Sequence, residues 1–133
     1  MRKSRPRRGA TTVEFAVVAP VFFLILLAMF EFARLNVLRH TADNAAYEAA
    51  RAAMVPGASA TDARNEANRL LSTVGAQGAS ITIDPGTITR GTQQVTVTID
   101  VPLSRNGWVV PRFTAGKTLT SKSTLRTERV TSR

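Results

Sequence analysis

The 133-residue chain has no cysteine, one histidine, one tryptophan and one tyrosine. Without cysteine it can form neither a disulfide framework nor a thiolate metal site, and the lone His40 excludes a site built from several histidines. Charge is also missing from one stretch, because no charged residue occurs from Phe15 to Phe30. The composition therefore predicts a protein without metal or cofactor and with one strongly apolar segment.

Catalytic patterns are missing as well. No nucleophile and histidine stand with an evident third member, and no glycine-rich loop has the spacing that binds phosphates. Asp84 and Asp100 are isolated carboxylates, which is weak ground for acid–base chemistry. We therefore expect a protein that is not an enzyme and has no small-molecule substrate.

Positive charge is concentrated at the start of the chain. The formal net charge is +9, and the first nine residues carry five basic side chains: Arg2, Lys3, Arg5, Arg7 and Arg8. This basic leader (1–9) contains no aromatic side chain on which a base could stack, which argues against nucleic-acid binding. It lies directly before the apolar segment, which instead favours a membrane lipid partner.

The apolar segment 10–30 has the length of a transmembrane helix. Its 21 residues match the ~20 that a helix needs to cross the hydrocarbon core, and Pro20 is tolerated in such helices. Because basic residues favour the cytoplasmic side, the N-terminus is predicted to be cytoplasmic. The sequence thus predicts a single-pass protein of the inner (cytoplasmic) membrane whose domain 31–133 is extracytoplasmic.

The rest of the chain reads as an α+β domain. Alanine-rich helical periodicity continues from residue 31 to about 55, so that one long N-terminal helix has a transmembrane half and an outer half. A second short helix is predicted at 60–74 from its capping residues, Ser59 and Asp62. Alternation predicts strands at 80–84, 93–102 and 117–130. We expect a small antiparallel sheet of about three strands to cover the alanine-rich face in a pilin-like arrangement, with Tyr47 packed under the sheet.

Gly9 and Glu14 have a suggestive spacing. Gly9 joins the basic leader to the apolar segment, and the arrangement resembles the site that prepilin peptidases cut after such a glycine. Cleavage between Gly9 and Ala10 would make Glu14 the fifth residue of the mature protein, where pilins carry a glutamate. Glu14 would then lie about 6 Å along the helix from the new ammonium group. We predict a processing site at Gly9 and Ala10, and a role in charge pairing and subunit packing for Glu14 and Phe15.

The first third of the chain resembles the TadE-like family of tight-adherence pilus systems. The resemblance lies in "RRG" (7–9), "VEFA" (13–16), Pro20 within the apolar run and "EFAR" (31–34), and it extends to about residue 53. It implies a non-catalytic pseudopilin or minor pilin component of a Flp-type pilus, acting in pilus assembly and cell adhesion. The implied partners are a prepilin peptidase and other pilins or pseudopilins.

Several alternatives remain open at this stage. Glu31 and Arg34 are either a subunit contact or simply the helix leaving the lipid. Trp108 and Phe113 either form an exposed contact patch or belong to a loop that folds over the sheet edge. The protein could also be an uncleaved membrane-anchored envelope binding module. A soluble exported protein is less favoured, because no small-residue cleavage pattern follows the apolar run.

Overall fold

The computed structural model describes residues 8–107 and 116–126 of the chain. Its elements in chain order are helix α1 (Arg8–Ala53), helix α2 (Ala60–Thr73), strand β1 (Ser80–Asp84), strand β2 (Gln94–Pro102) and strand β3 (Thr118–Arg126). A short 3₁₀ turn, Leu103–Arg105, follows β2. The predicted α+β fold with one long helix, one short helix and a three-stranded antiparallel sheet is confirmed.

Helix α1 is a single 46-residue element that runs through Pro20. At ~1.5 Å of rise per residue it is about 69 Å long, more than twice the hydrocarbon thickness of a bilayer. We call residues 10–30 the apolar half and residues 31–53 the outer half. The chain turns after the outer half at Gly57, whose φ of +88° is a backbone conformation that glycine adopts without a steric penalty.

Helix α2 begins and ends with local hydrogen bonds. The Ser59 hydroxyl accepts from the Asp62 N–H, and the Ser59 N–H donates to the Asp62 carboxylate, which completes the predicted capping box. At the other end the Gly75 N–H bonds to Ser72 and the Ala76 N–H to Leu71, with Gly75 at a φ of +63°. This pair of bonds satisfies carbonyls that would otherwise have no partner.

The sheet is a simple meander with β2 in the centre. Strand β1 pairs with β2 from Ser80↔Asp100 to Asp84↔Thr96, and β2 pairs with β3 from Gln94↔Arg126 to Pro102↔Thr118, all antiparallel. The strand order, which the sequence did not predict, is therefore β1–β2–β3. The central strand alternates strictly, and its inward-facing side chains are fully buried: Val95, Val97, Ile99 and Val101.

The core lies where the sheet and α2 pack against the outer half of α1. That half buries a stripe of one leucine and six alanine side chains: Leu38, Ala42, Ala45, Ala46, Ala49, Ala50 and Ala53. It contacts α2, β2 and β3. Alanine lets these elements approach the helix closely and loses no rotamer entropy on burial. A hydrogen bond from the Ser121 hydroxyl to Asp43 (2.6 Å) also ties β3 to the helix.

Tyr47 does not lie under the sheet. It is 48% exposed, so that expectation was wrong. Tyr47 follows the buried Ala46, and each residue turns a helix by ~100°, which carries the ring out of the buried stripe. The predicted third strand, 117–130, is described only to Arg126, and its last four residues lie outside the described residues.

Candidate functional site

The apolar half of α1 contains no buried residue. Nearly all of its large side chains are exposed, while Leu26 is half-buried. The exposed ones include Val13, Phe15, Val17, Val18, Val21, Phe22, Phe23, Leu24, Ile25, Leu27, Met29 and Phe30. This is one helix long and apolar enough to cross a membrane, and none of its most apolar window is buried. Water-soluble monomers rarely expose an apolar surface of this extent. The helix fits a single-pass membrane anchor.

The predicted processing site lies at the N-terminal end of this helix. Gly9 and Ala10 are exposed and helical, and a Cβ built on Gly9 would meet no atom within 4 Å. Within the described structure the backbone at Gly9 and Ala10 is therefore not enclosed by the chain's own residues. Glu14 and Phe15 are also exposed and follow one turn later, on the helix surface that faces the surroundings.

We call the described residues 31–107 and 116–126 the outer domain, and a second group of polar residues lies where this domain begins, just beyond the apolar half. We call Glu31, Arg34, Asn106 and Gly107 the junction. Glu31 is 6% exposed although it is one residue beyond the apolar half. Its Oε1 lies so close to Gly107 that a Cβ built there would be 2.7 Å away. Gly107 has no side chain, which leaves room for the Glu31 carboxylate between the helix and the chain that follows β2.

Asn106 organises the other side of the junction. It is 1% exposed, and its side-chain oxygen accepts the Gln77 N–H at 2.9 Å. Its amide group donates to the Gln77 carbonyl at 2.9 Å and to the Pro102 carbonyl at 2.8 Å. All of these groups are paired, so burial of the amide is not penalised. One side chain thus joins the segment after α2 to the end of β2.

Arg34 connects Asn106 to helix α1. Its Nε donates to the backbone carbonyl of Asn106 at 2.8 Å. A guanidinium donor makes a stronger hydrogen bond than a neutral one, particularly in a half-buried setting. The middle of α1, the segment after α2 and the chain after β2 are therefore held together about one turn beyond the apolar half.

The structure brings together some of the predicted site residues and separates others. Glu31 and Arg34 share the junction, whereas Glu14 and Phe15 lie ~25 Å away along α1, because 17 residues separate Glu14 from Glu31. Whether Glu31 and Arg34 also contact another subunit stays a prediction. Trp108 and Phe113 lie outside the described residues. Asn106 and Gly107 were not predicted, although an Asn-Gly pair after a strand is a recognised turn signal.

Two further features of the described residues concern metal binding and a surface cleft. No group of three or more His, Asp or Glu side chains within them could hold a metal ion. A cleft of about 440 Å³ lies between the end of α1 and residues 88–92, with Arg90 as the titratable side chain in its described lining. A single arginine supplies a positive charge but no base, because it stays protonated in proteins.

Comparison with known proteins gives one match. The family model described as TadE-like protein matches residues 9–51, which begin at Gly9 and end two residues before α1 does. Searches of curated proteins and of solved structures found no match. The match takes in the apolar half and nearly all of the outer half, including Glu31 and Arg34. Residues 9–51 are thus a TadE-like segment, and the predicted family resemblance is confirmed over that range.

Proposed function

We propose that this protein is a non-catalytic component of a tight-adherence pilus apparatus, a pseudopilin or minor pilin of the Flp type. The observation that carries the proposal is α1 itself. Its TadE-like segment joins an unburied apolar half to an outer half that forms the core of the domain. Such a helix anchors the chain in the membrane and offers a surface on which other helices can pack. The role is assembly and surface adhesion rather than chemistry.

The proposed topology is a single pass through the inner membrane. The basic leader stays in the cytoplasm, because positive charges near a membrane segment are retained there. The α+β domain then lies on the extracytoplasmic side, directly above the apolar half. From there it can enter a surface pilus or assist its assembly, and the first partners are other pilins or pseudopilins.

Cleavage after Gly9 would change the charge at the N-terminal end of α1. A prepilin peptidase would release the basic leader and create an ammonium group on Ala10. Glu14 is then about one helical turn away, within reach of the ammonium group of its own or a neighbouring chain. A carboxylate at the edge of the hydrocarbon region costs less when a partner charge is present. Glu14 would set the axial register in which neighbouring helices pack, with Phe15 in the contact.

The first experiment is the N-terminal sequence and intact mass of the protein extracted from the membranes of its native host. We expect a chain that begins at Ala10. A Gly9→Leu variant should keep the leader and begin at Met1, while a Thr11→Ser variant serves as the matched control and should still be cut. A wild-type chain that begins at Met1 and stays in the membrane would favour an uncleaved binding module instead.

Helix packing can be tested separately, because the natural chain has no cysteine. A single cysteine at Val18 in the apolar half should give disulfide-linked dimers in native membranes after mild oxidation. Glu14→Gln should reduce that yield if Glu14 sets the register. A cysteine at Asn65, on the exposed side of α2, is the control and should give few dimers. Equal yields from Val18 and Asn65 would argue against packing through the apolar half.

A further inference from the structure

The end of the outer domain that faces the apolar half is positively charged. We call residues 31–35, 75–79, 102–107 and 116–118 the proximal end, since all of them lie at or near the level of the junction. They carry three cations, Arg34, Arg105 and Lys117, against one acid, Glu31, a formal sum of +2. Glu31 is buried whereas Arg105 and Lys117 are exposed, so the accessible charge is positive.

The opposite end of the domain differs. The turn after α1 with the start of α2 (54–62) and the far ends of the strands (84–94 and 124–126) carry two cations and two acids, which sum to zero: Arg90, Arg126, Asp62 and Asp84. All four of these side chains are exposed. The positive charge of the proximal end is therefore a local property and does not follow from the overall basic composition.

The cations of the proximal end are held in place by the fold. The Leu103 N–H donates to the Lys117 carbonyl at 3.0 Å, which fixes the start of β3 beside the 3₁₀ turn that carries Arg105. The Arg105 side chain lies across Gly78, where an added Cβ would come within 3.0 Å of its Cδ. Asn106, the next residue, accepts the Arg34 bond described above. Three separate segments thus present positive charge on one end.

The height of this end above the membrane follows from α1. Arg34 is four residues beyond Phe30, about 6 Å along the helix. The headgroup layer on each side of a bilayer is roughly 5–8 Å thick, because the full bilayer is ~40–45 Å and its hydrocarbon core ~30 Å. The proximal end therefore lies at the level of the lipid phosphates when the apolar half spans the hydrocarbon.

We propose that the proximal end binds the headgroups of anionic phospholipids in the leaflet from which α1 emerges, with Arg105 and Lys117 as the main phosphate contacts. The inference rests on the membrane anchoring within the proposed function and is independent of the pilus role. The contact would seat the domain on the membrane surface and restrict its tilt. Near an anionic surface each such cation is expected to strengthen binding about fivefold, less at high salt.

The test uses the full chain reconstituted in lipid nanodiscs with a fluorescent reporter on a single cysteine. Ser104→Cys, exposed in the 3₁₀ turn, places an environment-sensitive dye at the proximal end, and Thr61→Cys, exposed on α2, places it at the far end. Discs contain phosphatidylcholine with increasing phosphatidylglycerol. We expect the Ser104 dye to respond to phosphatidylglycerol, the Thr61 dye not to respond, and 0.5 M salt to suppress the response.

Two charge variants make the test specific. Arg105→Gln with Lys117→Gln should weaken the response to phosphatidylglycerol by at least about tenfold, since two cations are removed. Arg90→Gln with Arg126→Gln removes the same charge from the far end and should leave the response unchanged. An equal response in both pairs, or no response of the Ser104 dye in chains that insert normally, would overturn the lipid contact while leaving the anchor intact. Failure to insert into the discs would overturn the anchor and the lipid contact together.

Discussion

The two halves of α1 form one continuous helix but are built for different surroundings. The apolar half exposes large side chains, and the outer half buries small ones. In lipid, an exposed phenylalanine or leucine is solvated by acyl chains and needs no protein partner. In water, the same helix is stable because the sheet and α2 cover its alanine stripe. Exposed large apolar side chains are therefore expected before Phe30, and buried small ones after it. The size of the apolar side chains marks the boundary between the two halves most clearly.

The largest effect is expected from a charge introduced into the apolar half, which tests whether this half lies in lipid. Leu24 is 69% exposed near its centre, and Leu24→Lys should cost about 3–4 kcal/mol of insertion free energy, since lysine is unfavourable and leucine favourable there. The measurement is the fraction of chain retained in membranes after alkaline extraction. Tyr47→Lys, in an exposed position of the outer half, is the control and should be retained like the wild type. Full retention of the Leu24 variant would mean that the segment does not span the membrane.

The next largest effect is expected at Asn106 in the junction. Asn106→Ala would leave the backbone N–H and carbonyl of Gln77 and the carbonyl of Pro102 without the partners they have now. We expect a loss of about 3 kcal/mol in the free energy of unfolding. Denaturant unfolding of the full chain in neutral detergent, followed by circular dichroism, measures it. Asn65→Ala on exposed α2 should change stability by only a few tenths of a kcal/mol, because alanine favours helix.

The same substitution should have different effects on domain stability in the two halves. Ala46 is fully buried, so that Ala46→Leu forces extra volume into a packed core and should destabilise the domain by about 1–3 kcal/mol. Ala28→Leu adds the same atoms where lipid surrounds the helix, and should leave domain stability unchanged and insertion slightly improved. Unfolding curves of the two variants, recorded in the same detergent, provide the comparison. Equal destabilisation would show that Ala28 is also packed against protein.

A smaller effect is expected at the start of α2, away from both halves. Ser59→Ala removes the hydroxyl that accepts the Asp62 N–H and should cost about 1 kcal/mol. Ser59→Asp keeps a capping oxygen and should recover part of the loss in the same unfolding assay. An unchanged midpoint for Ser59→Ala would mean that the cap adds nothing to the folded domain.

The same cap predicts a weak acid sensitivity. The Ser59 hydroxyl and backbone N–H hold the pKa of the Asp62 carboxyl below its ordinary value of 3.8. This contribution to stability is fully present above pH 3.8 and is lost as the pH falls through the lower folded-state pKa. Asp62→Asn should therefore flatten the acid limb of the stability profile. Profiles that fall in parallel for variant and wild type would contradict this assignment.

Most of the fold was predictable because its signals are local. The alanine periodicity, the Ser59–Asp62 cap and the alternation of β2 each lie within a few residues of the structure they specify, and each was confirmed. The strand order and the junction were not predictable. Glu31 lies beside Gly107, 76 positions further along the sequence, and a local sequence pattern carries no information about such a contact. The expectation for Tyr47 was wrong because the position of a residue around the helix, and not its aromatic character, decides whether it is buried.

The site was less accessible than the fold. Gly9, Ala10, Glu14 and Phe15 were identified by their spacing, and the structure adds that they are exposed. Their roles depend on a peptidase and on neighbouring chains, so they remain predictions. Arg105 and Lys117 gave no signal in the sequence, because isolated cations are common on protein surfaces. The lipid contact proposed for them depends on their distance from the apolar half, which only the folded chain defines.

The bonds at the junction make the domain turn with the helix. Arg34 and Glu31 hold the chain after β2 against α1. When the apolar half rotates about the helix axis, the sheet therefore rotates with it. One residue inserted between Phe30 and Glu31 would raise the domain by ~1.5 Å and rotate it by ~100°. If the apolar half packs against other helices as proposed, the contacts that it makes would also fix the direction in which the faces of the sheet point.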